Sequence, residues 1–226
     1  MNINRKAFTL AEVLVTLGII GVVSAMTVPT LMQNYQRKSY VTQLHKVYNE
    51  IQQAFNLYMN DRNAINLIEA GFSTNAQIDS FVNRYFKVIK TCSADDNLAP
   101  CFASSYTDID NTKSQTLSEE SDCRKAYVLA SGAAICFAAI SEADNQVNVD
   151  INGSAPPNIA GRDLFYMGYI NNGTLDEYGV SRITGINEGD PSQLREEAFN
   201  NSCTKSGSYA VGCFGKILND NWEMNY

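Results

Sequence analysis

The chain opens with one long apolar segment. Residues 8–32 span 25 positions and carry a single charged side chain, Glu12. Because an apolar stretch of about 20 residues crosses a bilayer as a helix, this pattern predicts a membrane-spanning helix. Arg5 and Lys6 precede the segment, and positive charge is retained on the cytoplasmic side of membranes. We therefore expect a cytoplasmic N-terminus, with the bulk of the chain on the other side of the membrane.

A helical pattern continues beyond the apolar segment. Apolar residues recur at intervals of three and four, which is typical of an amphipathic helix that packs one face on a sheet. The stripe consists of Tyr40, Val41, Leu44, Val47, Tyr48, Ile51, Ala54, Phe55 and Tyr58. The first helix is therefore predicted to run from about Phe8 to about Met59. His45 lies between stripe residues, where we expect a surface histidine rather than a metal ligand.

The rest of the chain predicts a second helix followed by an antiparallel sheet. Thr74 and Gln77 form a capping-box pattern at the start of a helix predicted over residues 74–89. Ser131-Gly132 is a turn signal between two apolar runs, and residues 147–151 alternate between apolar and polar side chains, as in a half-buried strand. The predicted strands cover residues 126–130, 133–140 and 147–151.

Composition narrows the classes of function. The formal net charge is −7 at pH 7, whereas non-specific binding to nucleic acid requires an excess of Lys and Arg. The single histidine argues against catalysis that pairs His with Ser or Cys and against multi-histidine metal sites. The sequence also lacks the GxSxG, HExxH and P-loop motifs. We therefore expect neither a nucleic-acid partner nor enzymatic activity.

Glu12 is the anomaly of the apolar segment. A carboxylate inside such a segment costs about 2–4 kcal/mol, so residues of this kind usually have a partner and a function. We expect no partner for Glu12 within the segment itself. The partner must then be a chain terminus, another chain or a proton.

The residues around Glu12 form a recognisable motif. The sequence Ala7-Phe8-Thr9-Leu10-Ala11-Glu12-Val13-Leu14 resembles the prepilin processing motif of type IV pilins and type II secretion pseudopilins. The resemblance implies that a prepilin peptidase cuts between Ala7 and Phe8 and that Phe8 is then N-methylated. The family usually has glycine where this chain has Ala7. Glu12 becomes the fifth mature residue, the position at which the family keeps its glutamate.

Two further positions match the family in the same register. Gly21 and Pro29 fall at mature positions fourteen and twenty-two, which the family favours. The resemblance implies that the helix between them loosens when subunits pack into a filament, whereas Pro29 alone predicts a static kink. It also implies that Glu12 neutralises the Phe8 amine of a neighbouring subunit, which would supply the partner that a desolvated carboxylate requires.

The resemblance also implies a fold and a location. The fold class is α+β and pilin-like, with a long N-terminal helix, membrane-spanning in its front half, packed on an antiparallel β-sheet head. We expect a cleaved cytoplasmic leader (1–7), a transmembrane and filament-core helix (8–32), the amphipathic half of that helix (33–60) and an exported globular head (61–226). The chain would cross the inner, or cytoplasmic, membrane once and then enter a periplasmic or extracellular filament.

The expected function is that of a structural subunit of a type IV pilus or a type II secretion pseudopilus. Its partners would be prepilin peptidase, the inner-membrane assembly platform and other pilin-like subunits, in a homo- or hetero-polymer. The alternative is a minor pilin that acts as an adhesion or substrate-binding module at or near the filament tip. A membrane-anchored enzyme is a third hypothesis, which no motif supports.

The apolar segment has two other interpretations. One is an ordinary membrane anchor, which leaves Met1 uncut. The other is a secretory signal peptide, since Val23-Ser24-Ala25 has the small residues of a cleavage site that would leave Met26 first. The position of Glu12 at the front of the apolar core argues against the signal peptide.

All six cysteines lie beyond the apolar segment, and an even number in an exported domain indicates disulfides. No CxxC motif is present, so neither zinc binding nor thioredoxin-like chemistry is expected. Six cysteines allow many pairings, and one pair left reduced in the core is an alternative. The favoured pairs are Cys203–Cys213, which closes a short loop as in many pilin heads, Cys92–Cys101 in an irregular stretch, and Cys123–Cys136 across the predicted hairpin.

The segment 150–165 is rich in turn-forming and oxygen-bearing residues. Oxygen-rich loops can hold Ca²⁺, and some major pseudopilins bind calcium, so a structural Ca²⁺ is one expectation; no other cofactor is expected. The candidate ligands are Asp150, Asn152 and Asp163, with Asp176 and Glu177 less favoured. The alternative is a turn held by its own hydrogen bonds, since the spacing is not that of an EF-hand.

Overall fold

Helix α1 runs from Leu10 to Asp61 and confirms the long helix predicted from about Phe8 to about Met59. The computed structural model describes residues 8–94, 98–110, 114–115, 117, 123–138, 145–183, 189–205 and 210–226. The chain divides into two compact units, residues 1–39 and 40–226. The leader and membrane segments expected from the sequence stay predictions, because they depend on processing and insertion rather than on contacts within the chain.

The described part of the first unit is dominated by the apolar front of α1. An 18-residue window of α1 has a mean hydropathy of 2.0, which by length and composition is enough to cross a membrane. The large apolar side chains of this front part are exposed, from Val13 at 42% to Leu10 at 78%, and Phe8 just before the helix is 86% exposed. The helical conformation continues through Pro29. An apolar surface of this extent is covered by lipid or by protein in a working molecule.

The second unit is built on a six-stranded antiparallel sheet. The strands are β1 (Val88–Ser93), β4 (Lys125–Leu129), β5 (Ala134–Ala138), β6 (Gln146–Asp150), β7 (Leu164–Tyr169) and β8 (Leu175–Glu177). They lie in the order β1-β4-β5-β6-β7-β8. A separate two-stranded sheet pairs β2 (Tyr106–Thr107) with β3 (Ser114–Gln115). The sheet confirms the predicted α+β, pilin-like architecture.

Short helical elements accompany the sheet in the part of the chain that the structure describes. They are α2 (Asn75–Tyr85), α3 (Tyr178–Ile183), α4 (Pro191–Ala198), a π-helix (Phe199–Cys203) and α5 (Cys213–Asn219). The predicted capping box at the start of α2 is present, since Thr74 Oγ1 accepts a hydrogen bond from the Gln77 amide at 3.3 Å. The prediction that this helix extends to residue 89 is wrong. The chain turns extended at Phe86, and the β-branched pair Val88-Ile89 instead begins an edge strand against β4.

The predicted hairpin is present, with β4 and β5 on either side of Ser131-Gly132. Gly132 has φ of 93°, a left-handed conformation that glycine adopts without strain.

Strand β7 was not predicted, because its residues show no alternation of apolar and polar side chains. All six of its residues are buried, so the strand reads as a continuous apolar run rather than as an alternation.

The two faces of the sheet carry two separate apolar clusters, because successive side chains of a strand point to opposite faces. The inner core joins α1 residues Val41, Leu44, Val47, Ile51, Ala54, Phe55, Tyr58 and Met59 to sheet residues Tyr127, Leu129, Ile135, Phe137, Val147, Val149, Phe165, Met167 and Tyr169. The outer core joins all six cysteines to Leu98, Phe102, Tyr106, Ala126, Ala134, Leu164 and Tyr166, among others. The apolar stripe predicted on α1 therefore packs on one face of the sheet.

Candidate functional site

The start of α1 is capped by Thr9 and Glu12. The Thr9 backbone amide and the Thr9 hydroxyl both donate to Glu12 Oε2 at 2.8 Å. In return, the Glu12 amide donates to Thr9 Oγ1 at 3.2 Å. This reciprocal arrangement is a capping box, which satisfies amides that the first turn of a helix leaves without partners.

The expectation that Glu12 has no partner within its own segment is wrong. Thr9 lies three residues before Glu12, which is the spacing of the Thr-x-x-Glu capping box. This contact could therefore have been predicted from the sequence. The positive end of the helix dipole further favours a carboxylate in the first turn. The two bonds from Thr9, one from its backbone amide and one from its hydroxyl, both go to Oε2, and Glu12 is exposed. The carboxylate is therefore positioned by its own chain while it stays open to a cation from another molecule.

The other predicted assembly residues are spread along α1. Gly21 and Pro29 follow Glu12 by nine and seventeen residues, so at 1.5 Å per residue they lie roughly 13 and 25 Å further along the helix. A Cβ added at Gly21 would meet nothing within 4 Å among the described atoms. Phe8 precedes the helix with its side chain exposed, and Ala7 lies outside the described residues. Their roles in processing and assembly stay predictions.

The cysteines form three disulfides. The bonds are Cys92–Cys101, Cys123–Cys136 and Cys203–Cys213, the three pairs that the sequence favoured. All of them lie in the outer core. The prediction of a disulfide-bonded head is confirmed.

Two of the three candidate calcium ligands come together in the β6–β7 connection. The Tyr106 hydroxyl donates to Asp150 Oδ2 at 2.5 Å, and the Asn152 amide donates to Asp150 Oδ1 at 3.0 Å. Asp163 accepts hydrogen bonds from the Asn158 and Ile159 amides, both at 2.7 Å. Burial raises the pKa of Asp150 to about 8 and that of Asp163 above its usual value, and the charge of Asp163 adds to the shift at Asp150.

Asn152, the third candidate, serves the loop itself. Its amide nitrogen donates to the carbonyl oxygens of Ala155 and Pro156 at 3.0 and 3.1 Å. Within the described residues, the buried Oδ1 atoms of Asn152 and Asn158 have no hydrogen-bond partner. The same part of the chain contains no group of three or more His, Cys, Asp or Glu side chains that could hold a metal ion. Calcium stays a prediction, and calorimetric titration of the purified chain with CaCl₂ tests it.

The less favoured candidates, Asp176 and Glu177, hold the C-terminal helices. Asp176 forms a two-point ion pair with Arg195 of α4, with both contacts at 2.7 Å. Glu177 accepts hydrogen bonds from the amides of Gly212 and Gly215 at 2.8 and 2.7 Å, around the start of α5. Burial raises the pKa of Glu177 to about 7. Sequence reasoning missed this role because the acceptors and donors lie 19 to 38 residues apart in the chain.

His45 lies on the surface, as expected from its place beside the stripe. Its ring stacks on Trp222, with the centroids 3.9 Å apart and the planes 20° from parallel. Trp222 in turn meets Tyr48 edge-on at 5.1 Å. No local pattern predicts that His45 and Trp222 meet, because they lie 177 residues apart in the chain.

Comparison with known proteins identifies one family motif, at the N-terminus of the chain. Residues 2–28 match the family described as the prokaryotic N-terminal methylation motif. No curated protein and no solved structure matches the chain. The match includes the Thr9–Glu12 capping box and the start of the exposed apolar helix, and it confirms the resemblance found in the sequence. This chain therefore carries the signature of type IV pilins and pseudopilins on an α+β, pilin-like fold.

Proposed function

We propose that this pilin-like precursor is cut between Ala7 and Phe8 and then polymerises through residues 8–32 into a type IV pilus or a type II secretion pseudopilus. The observation that carries the proposal is the methylation motif at residues 2–28 leading directly into a helix with exposed apolar side chains. Such a helix requires lipid before assembly and protein after it. Proteins with this motif are structural, which favours a subunit over an enzyme.

Glu12 is the assembly contact in this proposal. Cleavage would free a cationic amine at Phe8, and Glu12 of the next subunit would neutralise it. Each charge is costly alone in an apolar environment, whereas the pair is tolerated, so the contact selects the register of the subunits more than it adds stability. Thr9 supports the proposal because its two hydrogen bonds hold the Glu12 carboxylate in place before a neighbour arrives.

Location and partners follow from the same proposal. The unprocessed chain crosses the inner membrane once, with Arg5 and Lys6 on the cytoplasmic side where prepilin peptidase acts. The inner-membrane assembly platform then moves the subunit into a filament with other pilin-like subunits. The second unit is carried on the exported side, where its three disulfides are maintained.

Mass spectrometry of the mature N-terminus tests the processing step. N-methylated Phe8 is the expected first residue. Met26 would indicate a signal peptide, and an uncut Met1 would indicate an ordinary anchor; either result contradicts the proposal.

Substitution of Glu12 tests the assembly step. We expect Glu12→Ala to stay folded and membrane-bound but to give no sheared filaments, because the amine of the neighbour loses its counter-charge. Thr9→Val is the comparison variant. It removes the hydroxyl of the capping box but keeps the Glu12 carboxylate, so it separates the capping contact from the charge. Normal filaments from Glu12→Ala would exclude this mechanism.

A minor subunit with a binding head is the second candidate. The size of the second unit, residues 40–226, favours it, because polymerisation through α1 does not require a head of this extent. The share of the chain in sheared filaments separates the two. A dominant band indicates a major subunit, and a trace band indicates a minor one.

A further inference from the structure

We propose that strand β1, at one edge of the six-stranded sheet, binds an extended acidic segment of a partner polypeptide as an added strand. An edge strand has one side without a neighbour, and addition of a peptide strand to that side is a common mode of recognition. The contact lies outside residues 8–32, the segment proposed to polymerise, and gives the second unit a binding activity of its own. Its exposure, its backbone register and the charges beside it all favour β1 for this role.

The two edges of the sheet differ in exposure. The sheet ends in β1 on one side and in β8 on the other. All three residues of β8 are buried, whereas Ile89, Lys90 and Thr91 in the middle of β1 are exposed, Ile89 to 64%. Among the described residues, β1 is therefore the edge that a second polypeptide can reach.

The register of β1 against β4 directs the Thr91 backbone to the open side. The Ala94 amide donates to the Arg124 carbonyl at 3.1 Å, and the register has no bulge between Thr91 and Ser93. Because hydrogen-bonded pairs alternate along an antiparallel ladder, Thr91 and Ser93 lie at the positions that face away from β4. The Ser93 carbonyl indeed accepts the Leu98 amide at 3.1 Å from outside the sheet. The amide and carbonyl of Thr91 are therefore placed to pair with a strand added beyond β1.

Three cations near this edge lack a counter-ion. Lys87, Lys90 and Arg124 are exposed, and none of them has an ion pair within the part of the chain that the structure describes. The formal net charge of the whole chain is −7, so these cations are a local exception. Lysine on an edge disfavours indiscriminate strand pairing, whereas acidic side chains on an added strand would neutralise it. Charge complementarity therefore selects an acidic segment.

The same charges disfavour a second copy of this chain as the occupant. Pairing of β1 with β1 of another copy would bring two sets of the three cations together along one seam, and like charges on neighbouring strands are destabilising. The β8 edge of another copy is buried. A different polypeptide with an acidic extended segment avoids both obstacles.

A pocket at the end of β1 provides a place for one acidic side chain. It has a volume of about 360 Å³, and its lining includes Ser93 of β1, Arg124 and the ion pair between Lys125 and Asp79. Because Lys125 neutralises Asp79, Arg124 remains the uncompensated charge of the pocket. In strand addition the backbone hydrogen bonds supply affinity and the pockets beside the edge supply specificity. Arg124 is therefore the residue that we expect to select a carboxylate.

Fluorescence anisotropy with the full-length chain in a non-ionic detergent tests the contact. The probe is a labelled peptide with blocked ends and the sequence Thr-Glu-Val-Glu-Val-Glu-Thr. It is expected to bind at least about tenfold more tightly than a peptide with lysine in place of each glutamate. The same margin is expected over a peptide with proline in place of each valine, which keeps the charge but loses ladder donors. Equal affinity for the three peptides, or no binding of the glutamate peptide, overturns the proposal.

Two substitutions locate the binding on the chain. Thr91→Pro removes an amide that the ladder with β4 does not use, and Arg124→Glu reverses the charge in the pocket. Each is expected to weaken binding of the glutamate peptide by at least about tenfold. Thr91→Val keeps the amide, and Lys46→Glu makes the same charge change at an exposed residue of α1, so both controls should bind like the wild type. Wild-type affinity in Thr91→Pro or in Arg124→Glu contradicts the proposed site.

Hydrogen exchange of the wild-type chain gives a measurement that does not depend on substitutions. Saturation with the glutamate peptide should slow exchange over residues 88–93 and leave residues 175–177 of β8 unchanged. Lack of protection at β1 overturns strand addition there. A dimer of the chain that Thr91→Pro abolishes would assign the edge to a second copy and overturn the acidic partner. Filament formation stays a separate question, because β1 lies outside residues 8–32.

Discussion

The two faces of the sheet are stabilised in different ways. The inner core lies under a regular helix, and its aromatic rings pack together around Phe55, which has Phe72, Phe81, Phe137 and Tyr169 within 6.0 Å between centroids. The outer core lies under loops and short helices and contains every cysteine. Because loops satisfy few of their own amides, this side requires cross-links and buried acceptors in place of continuous apolar packing.

Buried carboxylates supply those acceptors. Asp150 and Asp163 are fully buried, and each accepts backbone amides of the β6–β7 connection that it holds. A helix packed by its apolar stripe satisfies its amides internally, so the part of the inner face under α1 has no such requirement. The comparison predicts that the two faces respond differently to the same kinds of change.

The largest expected effect is on the inner core. Phe55→Ala should lower the free energy of unfolding by about 3–5 kcal/mol, because it leaves a cavity among four aromatic rings. Chemical denaturation of the purified chain measures it. Leu57→Ala on the same helix is the control, since Leu57 is 52% exposed. Equal losses from the two variants would show that the inner face is not held by packing.

Removal of a disulfide should affect the outer core selectively. The double variant Cys123→Ser/Cys136→Ser is expected to cost about 2–4 kcal/mol. Hydrogen exchange should show faster exchange over residues 98–110 and 199–205, with protection retained over residues 41–59 of α1. Equal loss of protection on both faces would contradict the separation into two cores.

Loss of the Glu177 acceptor should lower the free energy of unfolding by less than loss of a disulfide does. Glu177→Ala leaves the Gly212 and Gly215 amides without their acceptor, which costs about 1–3 kcal/mol. Glu177→Gln keeps one carbonyl oxygen and should lose less. Glu196→Ala is the control, because its contact with Lys216 at 3.2 Å is half exposed and such pairs contribute at most about 1 kcal/mol. A larger loss from Glu196→Ala than from Glu177→Ala would exclude this role.

The two faces also differ in how far the sequence predicted them. The inner core followed from the spacing of apolar residues on α1, since a helical stripe is a local pattern. The acceptor roles of Asp150 and Glu177 depend on partners that only the fold brings close. From the sequence alone, both residues were predicted only as candidate calcium ligands. The Thr9–Glu12 capping box was local and was missed. Thr9 and Glu12 have the same spacing as Thr74 and Gln77, but a carboxylate in an apolar segment favoured the prediction of a distant partner.

Per pH unit, the smallest expected effect is a pH dependence that originates in two buried carboxyl groups, Asp150 and Glu177. Burial raises the pKa of Asp150 to about 8 and that of Glu177 to about 7, against about 4 for both groups in an unfolded chain. Between these values the folded chain holds protons that the unfolded chain has released. The two groups therefore make the free energy of unfolding fall as pH rises through this window, by at most about 1.4 kcal/mol per pH unit for each group.

The difference between the wild type and Asp150→Asn isolates this contribution. Asparagine still accepts the Tyr106 hydroxyl but does not titrate, so the variant should lose less stability than the wild type between pH 5 and pH 8. Denaturant midpoints measured across that range give the comparison, with Glu197→Gln as an exposed control. Parallel pH profiles for the wild type and Asp150→Asn would show that Asp150 is ionised in the folded chain. The outer core would then contain a buried charge that its hydrogen bonds alone stabilise.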